Sequence, residues 1–74
     1  MANDARRTVR EWRAHHKMSQ GELAARVGVA QTTISAIEQE KFAPSLTTAR
    51  RIAQVLGVHI DDIAWGKAGD IAEN

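Results

Sequence analysis

The side chains that could do chemistry in this 74-residue chain are few, and their spacing excludes more than it permits. There is no cysteine, which removes a disulfide framework, a thiolate metal site and a cysteine nucleophile. His15 and His16 are neighbours, about 100° apart on a helix, so they cannot grip one ion as an i, i+4 pair does, and His59 stands far along the chain. Serine, histidine and carboxylate share no recognisable catalytic frame, and no glycine-rich phosphate loop is present. No metal, no cofactor and no enzymatic activity is expected. What remains is hydrogen-bonding chemistry, concentrated in the run Gln31-Thr32-Thr33 and in Ser35. A glutamine carboxamide both donates and accepts, a threonine offers a hydroxyl and a methyl, and an alanine such as Ala36 offers only an apolar contact. In isolation the same run could simply begin a solvated helix. Its meaning depends on the elements that hold it.

Those elements are helices. Val9, Trp12 and His16 share one face, as do Leu23, Ala24 and Val27, then Ile34 and Ile37, then Ala49, Ile52, Ala53 and Leu56, all at three- and four-residue steps. No two-residue alternation is sustained. Ser19 with Glu22 three residues on reads as a capping box, Gly28 and Gly57 as left-handed helix ends, and Pro44-Ser45 as a stop followed by a new cap. A short fifth helix fits Ile60–Trp65, with Gly66 as its stop. The expected fold is all-α, a compact five-helix bundle without strands, in one domain over 5–66 between tails at 1–4 and 67–74. A domain this small buries only about 60% of the surface its unfolded chain exposes, which leaves little room for a catalytic cleft.

Charge is uneven although the net value is only +1. From Met1 to Gln31 six cations (Arg6, Arg7, Arg10, Arg13, Lys17, Arg26) meet three anions (Asp4, Glu11, Glu22), leaving +3. From Val58 to Asn74, Lys67 meets Asp61, Asp62, Asp70 and Glu73, leaving −3. The asymmetry fits a polyanion at one end, or charges that segregate with no partner. No apolar run approaches a membrane span or a signal peptide, so a soluble, cytoplasmic protein is expected.

The spacing Gln20, Ala24, Gly28, Val29, Ile34, Ile37 answers the geometric needs of two helices crossing steeply over a tight turn. Ala24 is small where the helices approach, Gly28 permits the turn, and Val29, Ile34 and Ile37 fill the wedge. Together with Met18-Ser19-Gln20-Gly21-Glu22-Leu23-Ala24, Ile34-Ser35-Ala36-Ile37-Glu38, Pro44-Ser45-Leu46 and Leu56-Gly57-Val58, this stretch resembles the helix-turn-helix of the Xre family, the phage Cro and repressor type, from about Val9 to Trp65.

The resemblance implies a lambda-repressor-like fold and a double-stranded DNA partner. It puts Gln31, Thr32, Ser35 and Ala36 of the helix at 31–39 against base edges. It puts Gln20, Thr33, Gln39, Lys41, Arg10 and Lys17 against phosphates, with Thr47 or Thr48 as a further contact. Arg13 and Glu38 correspond to a structural ion pair between the first and third helices. Two positions depart from the pattern. Gln39-Glu40-Lys41 replaces a glycine-containing loop, which puts a non-glycine in the left-handed region, and Ala30 stands where a serine or threonine caps the recognition helix.

Resemblance to dimeric members further implies a homodimer through Val58, Ile60, Ile63 and Trp65, with half-sites roughly 34–36 Å apart. Trp12 is expected in the core, whereas Trp65 either folds back onto it or seals the two-fold contact. The expected function is a transcriptional regulator, a repressor on a palindromic operator; the alternative is an antitoxin-type module that neutralises a partner protein.

Overall fold

The computed structural model describes residues 6–41 and 43–65. The expected tails at 1–4 and 67–74, with the stop at Gly66, lie outside the described residues. The chain forms β1 (Arg7–Thr8), α1 (Val9–His15), α2 (Gln20–Val27), α3 (Gln31–Glu38), α4 (Leu46–Leu56), one 3-10 turn (Ile60–Asp62) and β2 (Ile63–Ala64). The periodic apolar positions face a single core. Leu23, Ile34, Ile52, Leu56 and Ile63 are fully buried there, joined by Val9, Met18, Ala24, Val27, Ile37 and Ala53. Each large member contributes about 1.5–3 kcal/mol by leaving water, so this interior outweighs any single cap or ion pair. α2 lies against both α3 and α4, and α1 braces α3 from the other side.

All four described α-helices end alike. The amide of Met18 donates to Arg13 O (3.0 Å), Val29 to Ala24 O (3.0 Å), Lys41 to Ala36 O (2.9 Å) and Val58 to Ala53 O (2.9 Å). In each case the preceding residue is left-handed: Lys17 (φ 58°), Gly28 (φ 89°), Glu40 (φ 60°) and Gly57 (φ 74°). Glycine fills two of these four places, Glu40 is the non-glycine expected in the left-handed region of Gln39-Glu40-Lys41, and Lys17 alone had no sequence signal.

Two local expectations are corrected. Ser19 caps α2 by accepting from Glu22 N (3.0 Å), but the Glu22 carboxylate turns along the helix to Arg26 (3.2 Å) instead of returning to the cap. The reciprocal capping box sits on α1, where Thr8 N donates to Glu11 Oε1 (2.9 Å) and Glu11 N to Thr8 Oγ1 (3.1 Å).

The second correction concerns the fifth helix and the absence of strands. The main helical body stands, but Ile60–Asp62 makes only one turn, and Ile63–Ala64 runs parallel to β1 with Arg7 opposite Ile63 and Thr8 opposite Ala64. Two indoles meet this turn: Trp12 Nε1 donates to Asp62 O (3.1 Å), and Trp65 Nε1 shares Ile60 O (3.3 Å) with the amide of Ile63, which closes the single turn. The β-branched Ile63 is then drawn extended into the core.

Candidate nucleic-acid interface

The turn Gly28-Val29-Ala30 hands α2 to α3, and burial decides how α3 is oriented. Ile34 (0% exposed) and Ile37 (6% exposed) point inward. At 100° per residue the opposite side carries Thr32, Ser35 and Ala36, with Gln31 and Thr33 at its flanks. Gln31 and Thr32 are exposed, and Thr33, Ser35 and Ala36 are half-buried. The residues expected at base edges therefore share one outward face. Ser35 is not idle on it, because its hydroxyl accepts from Gln39 Nε2 (2.9 Å) and so joins a residue assigned to bases to one assigned to phosphate. The i, i+4 spacing carries that contact.

The expected phosphate contacts divide into two groups. Arg10, Lys17, Lys41 and Gln39 are exposed, Lys17 and Lys41 beside the turns that close α1 and α3. Gln20 is instead tied inward. Its Nε2 donates to Glu38 Oε1 (3.0 Å), and that carboxylate also receives Arg13 through Nε (2.7 Å to Oε2) and Nη2 (3.2 Å to Oε1). Arg13 Nη1 reaches Met18 O (2.8 Å), so one guanidinium links the end of α1, the start of α2 and the end of α3. The hydrogen bond that it donates to Glu38 holds the Arg13 guanidinium above the ordinary arginine range; desolvation opposes this, and the Glu38 charge adds to it. Arg10, Arg13, Gln20, Glu38 and Gln39 line a polar notch of about 250 Å³. The pairing of Gln20 with Glu38 had no sequence signal, since 18 residues separate them.

Helix N-termini complete the surface. Ala30 has the extended backbone of an N-cap but no capping side chain; Thr33 N donates to Ala30 O (3.0 Å), and the amides of Gln31 and Thr32 ahead of it have no side-chain cap. Thr48, one of two candidates at the start of α4, is engaged in the cap of its own helix through Ser45 Oγ (3.2 Å), whereas Thr47 is exposed.

The four residues expected at a dimer contact fall out unequally. Val58, Ile60 and Trp65 are half-buried at the surface of the core, but Ile63 is 0% exposed within the single chain and offers no surface to a partner. Trp65 folds back onto the core, and Trp12 is half-buried with the Arg7 guanidinium 5.0 Å from its ring. His16 covers the end of α4, its Nε2 donating to Leu56 O (2.8 Å). Among the described residues no group of three or more His, Asp or Glu could hold a metal ion, and no helix is long and apolar enough to cross a membrane.

Comparison with known proteins adds relatives to this geometry. A family pattern described as Helix-turn-helix matches residues 9–63. An uncharacterized HTH-type transcriptional regulator of Archaeoglobus fulgidus is 42% identical over 69 residues, covering 84% of this chain and 99% of that protein. Another, of Methanothermobacter thermautotrophicus, is 49% identical over 59 residues, covering 78% and 86%. An antitoxin of Mycobacterium tuberculosis is 40% identical over 62 residues, which are 80% of this chain and 42% of that protein. No solved structure matches the chain.

Proposed function

The chain belongs to the helix-turn-helix family matched over residues 9–63, and from that premise we propose that it is a cytoplasmic repressor that reads a palindromic DNA operator with α3. The observation that supports this most is the outward face of α3, where Thr32, Ser35 and Ala36 stand opposite the buried Ile34 and Ile37, with the exposed Gln31 at the flank. Gln31 carries the largest share, because its carboxamide can pair with adenine N6 and N7 together. Thr33, Gln39, Lys41, Arg10 and Lys17 grip phosphates around it and add affinity without discrimination, while Gln20, tied inward to Glu38, braces α3. Repression follows by occlusion. A homodimer, formed through Val58, Ile60 and Trp65, presents two such helices to half-sites roughly 34–36 Å apart.

Selection from a library of random duplexes tests the reading. Enrichment of a palindrome, lost at one position per half-site in Gln31→Ala, is the expected result; salt-sensitive binding without enrichment would remove it. Sedimentation at tens of micromolar tests the dimer, and a monomer there would exclude it. The likeness to an antitoxin favours a second reading, a module that neutralises a partner protein. Co-purification of a stoichiometric partner would support that reading.

A further inference from the structure

Gly21 occupies the second position of α2, where a glycine weakens the helix relative to alanine. Its backbone is ordinary helix, so no left-handed turn requires it. The reason for a missing side chain lies across the turn. A Cβ at residue 21 would stand 3.3 Å from Gln31 Oε1 and 3.9 Å from Gln31 Cδ, with Ser19 Oγ also at 3.9 Å. The nearest of these is closer than the roughly 3.5–4.0 Å at which carbon-sized atoms meet comfortably. The Gln31 carboxamide therefore lies over the bare backbone of α2, in space that any side chain at 21 would occupy. It makes no hydrogen bond there among the described residues, so its amide and carbonyl remain available.

We infer that Gly21 is a specificity-determining residue, which sets the position of the Gln31 carboxamide by leaving it a seat against the first turn of α2. This rests on the reading of Gln31 as a base contact. A carboxamide that pairs with two atoms of one base edge must be placed to within about 0.5 Å, whereas phosphate contacts tolerate far more. Any β-carbon at 21 moves the carboxamide by a few tenths of an ångström, and a branched one excludes it. Gly21 thus acts through Gln31, and a weaker helix is the consequence.

The test compares Gly21→Ala, Gly21→Val, Gln31→Ala and the double variant Gly21→Ala/Gln31→Ala, each by selection from the same random duplex library and by thermal unfolding. Gln31→Ala is expected to lose roughly 5- to 150-fold discrimination at one base position. Gly21→Val should lose about 10-fold and Gly21→Ala about 3-fold, at that position and no other. Gly21→Ala should melt no lower than the parent, which separates the effect from misfolding. In the double variant, residue 21 should have no further effect on the base profile. An unchanged profile in both Gly21 variants, while Gln31→Ala loses its position, overturns the role of Gly21 alone. Equal weakening on every duplex also overturns it, since that would be steric exclusion of the DNA backbone. If Gln31→Ala loses no position, the base-contact reading falls and this inference falls with it.

Discussion

α2 and α3 are each eight residues long and lie against one another, yet their ends follow opposite rules. α2 starts on a serine that caps it and ends on a glycine, Gly28, that takes the left-handed position freely. α3 starts on Ala30, which caps nothing, and ends on Glu40, a non-glycine held at φ 60°. A missing cap costs about 1 kcal/mol and a left-handed L-residue another 1–2. Burial of Ile34 and Ile37, at about 1.5–3 kcal/mol each, exceeds both costs. The supporting helix is held by its own ends. The helix proposed to read DNA is held by its inner face and by the Arg13–Glu38–Gln20 network, and its N-terminus has no side-chain cap.

The sharpest way to break this comparison is to remove the network. Glu38→Ala leaves Arg13 and Gln20 without their shared partner and should destabilise the protein by about 3 kcal/mol, read by urea unfolding through tryptophan fluorescence. A loss under about 0.5 kcal/mol, the range of a surface substitution, would mean that the core alone holds α3. A double-mutant cycle with Arg13→Ala and Glu38→Ala should show a coupling that does not change between about pH 7 and about pH 10. The sign follows from Arg13: a folded-state value raised above the arginine range keeps its contribution intact below that range and loses it only at higher pH.

The next test exchanges the two helix ends. Gly28→Ala forces a β-carbon into the left-handed region at a place with only Arg51 Nη1 at 4.0 Å nearby, so its loss of about 1–2 kcal/mol is conformational. Glu40→Gly makes the reverse change and should gain about 0.5–1 kcal/mol, a rise of several degrees in Tm for a domain of this size. If both substitutions move stability in the same direction, the left-handed position does not distinguish the two helices.

The legible parts of this molecule were those with local signals. Periodic apolar residues located α1 to α4, and Ser19, Gly28, Ser45 and Gly57 marked their limits because caps and left-handed ends depend on one residue's own chemistry. The frame from Gln20 to Ile37 located the candidate site for the same reason. What could not be read involved distant partners. β1 and β2 form only because the chain closes on itself across more than fifty residues, so the two-residue strands carry no pattern of their own. Gln20 meeting Glu38 and the seat of Gln31 over Gly21 are likewise tertiary outcomes. Ile63 looked like a surface residue beside Trp65 because a fifth helix was expected there, and extended backbone turned it into the core.

The smallest predicted effect bears most directly on why α3 departs from the rules that α2 obeys. Ala30 has the backbone of a working cap, φ −72° and ψ 151°, close to Ser19 at −79° and 165° and Ser45 at −65° and 162°. A serine placed there meets the right geometry without rearrangement, and Ala30 is exposed, so nothing is displaced. Ala30→Ser should therefore raise stability by about 0.5 kcal/mol, detectable as a small increase in Tm. If the uncapped amides of α3 are kept for a phosphate, the same substitution should weaken binding to an operator duplex, since a side chain then satisfies a group that the DNA would have met. Greater stability with weaker binding is the expected split. Greater stability with unchanged binding would show that the open N-terminus of α3 is a tolerated defect and not part of the interface.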